Sequence, residues 1–177
     1  MRFFFDTEFV EDGKTIDLIS IAIVAEDGRE YFAVSTQFNQ RRAKAHPFVS
    51  EHVLPKLPKR SPSQTDSPRI RMEAGAWKPR AVIAREIQEF VGNDPEFWAD
   101  FAAYDWVALC QLYGTMMDLP KGWPFFCRDV QQFRKMLNVP KFTVDTHREH
   151  DALADAKECK ARHDVLQQKL AEWVTTR

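Results

Sequence analysis

Two acidic residues, Asp6 and Glu8, interrupt an otherwise apolar segment at residues 3–9. The segment predicts a β-strand, in which side chains two positions apart point to the same face. Two carboxylates buried on one face need a cation or strong hydrogen-bond donors, because unpaired burial is costly or forces protonation. We interpret the pair as part of a carboxylate site; the alternative is a solvated face of the sheet.

Two further carboxylates lie where such a site could be completed. Asp105 stands where a predicted strand gives way to a predicted helix, and its alternative role is to cap that helix. Asp155 lies on the apolar face of the last predicted helix, where an Asp predicts a nearby cation. The alternative is a place at the edge of that face, with Lys157 or Arg162 as its partner. The apolar stripe comprises Ala152, Cys159, Leu166, Leu170 and Trp173.

One of the five histidines, His150, precedes Asp155 by five positions. On a single helix the two side chains would lie about 140° apart, so His150 is predicted in the preceding loop or the first helical turn. There it would lean over the site that Asp155 reaches, and histidine is suited to accept a proton near neutral pH. The other four are interpreted as structural (His46, His52, His163) or as a surface loop residue, with a place beside the site as the alternative (His147).

The composition limits the classes to which the chain can belong. It has 177 residues, of which 44% are apolar and 29% are charged, which predicts a single folded domain rather than a disordered chain. The net charge of -1 excludes a globally basic nucleic-acid binder. Three widely spaced cysteines argue against a disulfide framework and a thiolate zinc site, and they fit a reducing compartment. The longest near-apolar run, residues 18–25, is far shorter than the roughly 20 residues of a membrane span, and no signal peptide is recognised, so we predict a cytoplasmic protein without a membrane partner.

Apolar patterns and turn signals predict a mixed α/β sheet flanked by helices. Three antiparallel strands open the chain, and the second is apolar on both faces, which indicates a central strand. The predicted strands cover residues 3–9, 16–25, 30–35, 96–104 and 124–128, and the predicted helices cover residues 80–91, 105–113, 129–137 and 151–174.

Residues 40–80 differ from the rest of the chain. They contain six of the ten prolines and ten basic residues against three acidic ones, so the segment carries a charge of +7. Apart from a short helix near residues 50–54, we predict a long loop or insertion of the single domain. Such loops are usually functional or mobile, and this one is a candidate to follow the phosphates of a nucleic acid; the alternative is a solvated insertion.

In order and spacing, the acidic residues resemble a known set of motifs. Asp6-x-Glu8, then Asp105, then His150-x-Ala152-x-x-Asp155 resemble the three exonuclease motifs of the DEDDh superfamily, whose members include ribonuclease T, oligoribonuclease and proofreading domains. The resemblance implies a ribonuclease H-like fold. The Tyr-type variant has a tyrosine four positions before the last Asp, where this chain has Asp151, so the His type is favoured.

Residues 2–9, 11–13 and 103–112 are similar, more narrowly, to the small stand-alone 3′–5′ exoribonucleases of the mycobacterial type. Two departures from the wider superfamily suit that branch. Phe9-Val10 replace the common Thr-Gly after the first motif, and Asp100-Phe101 replace the common His-Asn before the second.

The resemblance also implies a mechanism and a substrate. Oxygen ligands suit two Mg²⁺ ions, with Mn²⁺ as a substitute. Asp6, Glu8 and Asp155 would hold the ion that carries the attacking water, Asp6 and Asp105 the second ion, and His150 would be the general base. The expected substrate is the 3′ end of single-stranded RNA or an RNA overhang, and the product is a nucleoside 5′-monophosphate. The candidate substrate contacts are Thr7 and Phe9, and a homodimer is expected.

Three alternatives stay open at this point. The enzyme could act on DNA, as in repair or proofreading, because the motifs do not separate the two nucleic acids. The chain could bind nucleic acid without turnover. A mononuclear metal hydrolase using His147, His150 and a carboxylate would instead bind zinc and would not need Asp6 or Glu8.

Overall fold

Six strands form one mixed sheet in the computed structural model, which describes residues 1–61, 63, 65–67, 70, 73–144 and 150–175. Their order across the sheet is β4-β3-β2-β1-β5-β6. The first three strands pair antiparallel, and the other pairs are parallel. The predicted ribonuclease H-like mixed sheet and the central place of the second strand are confirmed. The strands are β1 Arg2–Glu11, β2 Ile16–Ala25, β3 Glu30–Ser35, β4 Trp77–Lys78, β5 Glu96–Ala99 and β6 Arg128–Asp129.

Helices cover both faces of the sheet. On one face, Phe3 and Phe5 of β1 pack in a core with Ile83 and Leu109 from two helices. On the other face, different helices supply the core, which includes Phe4 of β1. The helices are α1 Gln40–Ala45, α2 Arg80–Val91, α3 Ala103–Gln111, α4 Val130–Met136 and α5 Ala152–Thr175. Of these, α2 and α3 lie on the first face, and α4 and α5 lie on the second.

The predicted boundaries around Asp105 are wrong by several residues. The strand β5 ends at Ala99, and α3 already begins at Ala103, since the carboxylate of Asp129 accepts the backbone N–H of Ala102 and starts the helix early. Asp105 therefore lies inside the first turn of α3 and does not cap it. The strand predicted at residues 124–128 is reduced to the two residues of β6.

The segment at residues 40–80 is folded over much of its described length, unlike the predicted long loop. The helix α1 is followed by a turn of π-helix at Val49–Val53 and a 3₁₀ turn at Leu54–Lys56. Val49 and Val53, four positions apart, are buried against apolar side chains of β1, β2 and β3. This apolar spacing buries one side of the segment and holds it against the sheet.

The last helix, α5, is buried against the rest of the protein only as far as Leu166. Trp173 is 52% exposed, so the predicted apolar stripe is wrong at its end. A helix of 24 residues is about 36 Å long and extends beyond the sheet. In the part of the chain that the structure describes, no helix has the length and apolarity needed to cross a membrane.

Candidate active site

Three carboxylates from β1 and α5 meet at one point. One oxygen each of Asp6, Glu8 and Asp155 lies within 4.8 Å of the other two. The two β1 residues share a face, as the strand spacing predicts, and the helix supplies the third group. Neither Lys157 nor Arg162 pairs with Asp155, because these cations contact Glu30 and Asp100 instead. The three side chains that the sequence pattern assigned to one site therefore lie together, and their role as a functional site stays a prediction.

Small residues on neighbouring elements allow α5 to approach β1 closely. The strand β2 places Ala22 opposite Asp6 and Ser20 opposite Glu8. Ala152 and Ala156 of α5 pack directly on the same region of β2. A register shift follows immediately after Glu8 in the pairing of the two strands. Bulges of this kind bend a strand and re-aim its side chains, and they are frequent beside active sites.

The fourth carboxylate, Asp105, is held by Thr7. Its Oδ1 accepts the backbone N–H of Thr7 at 2.9 Å and the Thr7 hydroxyl at 2.6 Å. The pairing of β1 with β5 reaches only as far as Phe4, so the N–H of Thr7 is left without a strand partner on that side. Asp105 occupies this position, and a bond of that kind to a carboxylate is strong. Both donor groups of Thr7 are therefore engaged within the protein.

The four carboxylates lie in surroundings that disfavour their charges. Burial, with repulsion from Asp105 and Glu8, raises the pKa of Asp6 well above its ordinary value. Burial and the charge of Asp155 raise the pKa of Glu8 to about 8, although Lys56 opposes this rise. Burial also raises the pKa of Asp105 and that of Asp155 to about 6. Within the described residues none of the four forms an ion pair with Lys or Arg, so their ionisation together needs another cation.

His150 lies immediately before α5, outside the helix, as its spacing from Asp155 predicts. Asp151 caps α5 by accepting the backbone N–H groups of Leu153 and Ala154. The Asp155 carboxylate in turn accepts the backbone N–H of His150, whose φ is +62°. One side chain thus belongs to the carboxylate cluster and also fixes the backbone of the histidine.

Three residues of the segment at residues 40–80 reach this site, and the sequence analysis did not identify them. The ring of Phe48 meets that of His150 edge-on at 4.7 Å, and the His52 ring lies 5.8 Å from His150. Lys56 lines a small pocket together with Glu8 and His150. One signal in the sequence was available: Phe48, His52 and Lys56 are four positions apart, and residues with that spacing lie on the same side of a helix.

A further carboxylate, Asp100, faces the site from the end of β5. Its charge contributes to the raised pKa of Asp6. Arg162 of α5 pairs with both Asp100 and Glu158, and Gln131 donates to the other oxygen of Asp100 at 2.8 Å. In the sequence, Asp100 is only a departure from the superfamily pattern, because the register of β1 against β5 is needed to place it beside Asp6.

Aromatic side chains border the site on the β1 and α3 side. The partly exposed ring of Phe9 meets that of Tyr104 edge-on at 5.8 Å. Tyr104 is 54% exposed. Trp106, two positions further along α3, packs in the core against Phe97. The proposed contacts of Phe9 and Thr7 with substrate stay predictions.

Several of the basic residues at 40–80 are engaged in ion pairs, which no local pattern indicated. The proposed contact of these basic residues with the phosphates of a nucleic acid stays a prediction. Arg69 and Arg71 lie outside the described residues, and so does His147. The ion pairs are those of Arg42 with Asp12 and Asp17, Arg80 with Asp17, Lys59 with Asp66, and Lys78 with Glu86.

Two of the histidines interpreted as structural have structural surroundings. His163 is fully buried between Phe4 and Trp98, and burial lowers its pKa. The Nδ1 of His46 accepts the backbone N–H of Val49. The interpretation of His52 as structural omitted its contact with His150.

Comparison with known proteins gives matches over most of the chain. Residues 1–166 match the family model described as the 3′-5′ exoribonuclease Rv2179c-like domain. Two curated proteins of Mycobacterium tuberculosis are each 45% identical to the chain over 170 residues: 3′-5′ exoribonuclease Rv2179c of strain H37Rv and 3′-5′ exoribonuclease MT2234.1 of strain CDC 1551. Each alignment covers 94% of this chain and 93% of the relative.

Proposed function

The chain belongs to the family of 3′-5′ exoribonuclease Rv2179c-like domains, and from that premise we propose that it is a metal-dependent enzyme acting on RNA 3′ ends. The proposed substrate is single-stranded RNA or an RNA overhang, and the proposed product is a nucleoside 5′-monophosphate. The observation that carries the proposal is the meeting of Asp6, Glu8 and Asp155 within 4.8 Å of one another, beside Asp105.

The chemistry of these donors fits Mg²⁺ or Mn²⁺. All four groups offer carboxylate oxygens, and no cysteine belongs to the described cluster. Asp6, Glu8 and Asp155 would hold one ion, and Asp6 with Asp105 would hold the second. Bound there, two divalent ions would stabilise the charge on the attacking and leaving oxygens of a phosphoryl displacement. The raised pKa values support this assignment, since a nearby cation is what returns such groups to the ionised form.

His150 is the proposed general base. It would accept one proton from the attacking water as the new P–O bond forms at the phosphodiester between the last two nucleotides. The bond from phosphorus to the 3′ oxygen of the preceding nucleotide breaks, and that oxygen takes up a proton from solvent and becomes the new 3′ hydroxyl. The hydrogen bond from the His150 backbone to Asp155, and the ring of Phe48 against the imidazole, support a fixed position for this group.

The terminal nucleotide would lie between the carboxylates and the exposed aromatic rings. Phe9 and Tyr104 offer a surface on which a base can stack, as aromatic side chains do in proteins that bind single strands. The hydroxyl and N–H of Thr7 already donate to Asp105, so a direct contact of Thr7 with substrate would use its remaining groups.

The test is cleavage of matched RNA and DNA oligonucleotides labelled at the 5′ end, in Mg²⁺, Mn²⁺ or EDTA. We expect a ladder that shortens from the 3′ end of RNA only with metal, with nucleoside 5′-monophosphate as the released product. Glu8→Gln should lower the rate by roughly two orders of magnitude or more. Glu89→Gln, the same change on the exposed face of α2, should leave it unchanged.

Each other outcome has a distinct meaning. A ladder on DNA alone would make the chain an exodeoxyribonuclease and would refute the RNA assignment. Full activity in Glu8→Gln, or activity that persists in EDTA, would refute the carboxylate centre. Binding of both oligonucleotides without cleavage would favour a domain that binds nucleic acid without turnover.

A further inference from the structure

A sizeable cavity lies outside the carboxylate site, between α4, α5 and residues 141–143. Its volume is about 410 Å³, and its lining includes Phe101, Gln131, Lys141 and Arg162. A second cavity of about 310 Å³ shares Phe101, Gln131 and Lys141 with the first, so the two form one groove over α4. Neither cavity is used by the proposed hydrolysis.

The groove is cationic. Arg134, Lys141 and Arg162 line its larger part, where none of the described lining residues is a carboxylate, although Arg162 itself is paired with Asp100 and Glu158. The smaller part is lined by Lys135 and Asp129 as well as by Arg134 and Lys141, so cations outnumber carboxylates in the lining of the groove. Arg134 donates to the neutral oxygens of Gln131 and Val139. Lys141 is exposed and has no ion-pair partner in the described ranges of the chain. A lining of this charge complements a ligand that carries several negative charges.

An aromatic ring stands at the edge of this groove in an unusual backbone conformation. Phe101 is 69% exposed and has a φ of +56°, in the left-handed region that bulky residues rarely adopt. A residue of this kind is held there by its surroundings, and such outliers cluster at functional sites. Cations with an exposed ring form the combination that binds single-stranded nucleic acid, through phosphate contacts and base stacking.

The groove and the carboxylate site share a boundary. Arg162 lines the groove and pairs with Asp100, whose charge acts on Asp6. Phe101 directly follows Asp100 in the chain. A strand whose 3′ end lies at the carboxylates therefore has a neighbouring surface to occupy.

We propose that this groove, defined by Phe101, Arg134, Lys141 and Arg162, binds the part of an RNA single strand that lies upstream of the terminal nucleotide. The inference rests on the proposed function, because it assumes that a 3′ end lies at the carboxylate site. It adds a length preference: substrates long enough to enter the groove bind more tightly than very short ones.

The test measures binding apart from cleavage. Oligoadenylates of three and twelve nucleotides, labelled at the 5′ end, are titrated in EDTA by fluorescence anisotropy. The variants are Lys141→Gln and Phe101→Asn. Asparagine tolerates a left-handed backbone, so this change removes the ring without straining the chain. Lys121→Gln, the same change at an exposed lysine away from the groove, is the control.

We expect each groove variant to raise the Kd of the twelve-nucleotide strand about fivefold or more, and that of the three-nucleotide strand less than twofold. Lys141→Gln should also reduce the slope of log K against log salt by about 0.7, as loss of one phosphate contact does for single strands. The control should match the wild type. With Mg²⁺, both variants should keep the wild-type kcat on the three-nucleotide substrate.

The inference is overturned if the wild type binds both lengths equally or if neither variant weakens binding of the longer strand. It is also overturned if the variants weaken binding of the two lengths equally. If one of these binding results is found while the wild-type protein still cleaves RNA, the proposed function is unaffected. A wild type that binds RNA but does not cleave it refutes the proposed function alone, because the binding arm needs no turnover.

Discussion

Removing the Glu8 charge should stabilise the metal-free protein at alkaline pH and have little effect at acidic pH. The pKa of Glu8 is raised from 4.5 to about 8, first by burial and then by the charge of Asp155. The folded state therefore holds a proton that the unfolded chain has released, and stability falls as the pH rises from about 4.5 to about 8. If the pKa of Glu8 in the unfolded chain is ordinary, its contribution over that range reaches at most about 5 kcal/mol.

The assay is urea unfolding of the wild type and Glu8→Gln in EDTA at several pH values from 5 to 9. Groups remote from Glu8, such as His163 with its lowered pKa, act on both proteins and cancel in the difference. The loss of the Glu8 charge also relieves the repulsion that raises the pKa of Asp6, which adds to the same trend. We expect the free energy of unfolding of Glu8→Gln, relative to wild type, to rise by about 2–5 kcal/mol across the range. Glu89→Gln should show no such trend. A difference independent of pH, or one that grows towards acid, would refute the electrostatic reasoning.

Three further predictions concern activity on RNA. His150→Ala should lower kcat by about 10²–10⁴-fold and remove the acidic limb of the pH–rate profile, with unchanged Mn²⁺ affinity; loss of metal binding instead would make His150 a ligand. Thr7→Val removes a hydrogen bond that lowers the pKa of Asp105, so kcat should fall about tenfold at pH 7 and less at pH 9. Thr7→Ser should restore kcat, and equal losses at both pH values would contradict this reasoning. Phe9→Ala should raise KM about fivefold or more with little change in kcat, and an unchanged KM would exclude stacking.

Much of the fold follows from local pattern. The two-residue spacing of Asp6 and Glu8 on a strand is enough to put both carboxylates on one face, and the apolar residues on both faces of β2 indicate its central place. Local pattern does not define the limits of strands and helices where a distant side chain decides them. The start of α3 depends on Asp129 accepting the Ala102 N–H, 27 positions away in the chain.

The carboxylate site was predictable because its members lie in short motifs, and its surroundings were not. Phe48 meets His150 across about a hundred positions, and Asp100 lies beside Asp6 only through the register of two parallel strands. The sequence shows that residues 40–80 carry a net positive charge. It does not show that Arg42 and Arg80 pair with Asp17, because that contact depends on where the folded chain places β2. Spacing within an element is local information, whereas contacts between elements depend on the folded chain.

Counting the Mn²⁺ ions bound per chain tests the central claim most directly. Electron paramagnetic resonance of Mn²⁺ would be recorded for the wild type, Asp6→Asn, Asp105→Asn and the exposed control Asp27→Asn. We predict two bound ions in the wild type and the control, one in Asp105→Asn, and none in Asp6→Asn. A wild type that binds no Mn²⁺, or an Asp6→Asn variant that binds as many ions as the wild type, would contradict a metal centre built on these carboxylates.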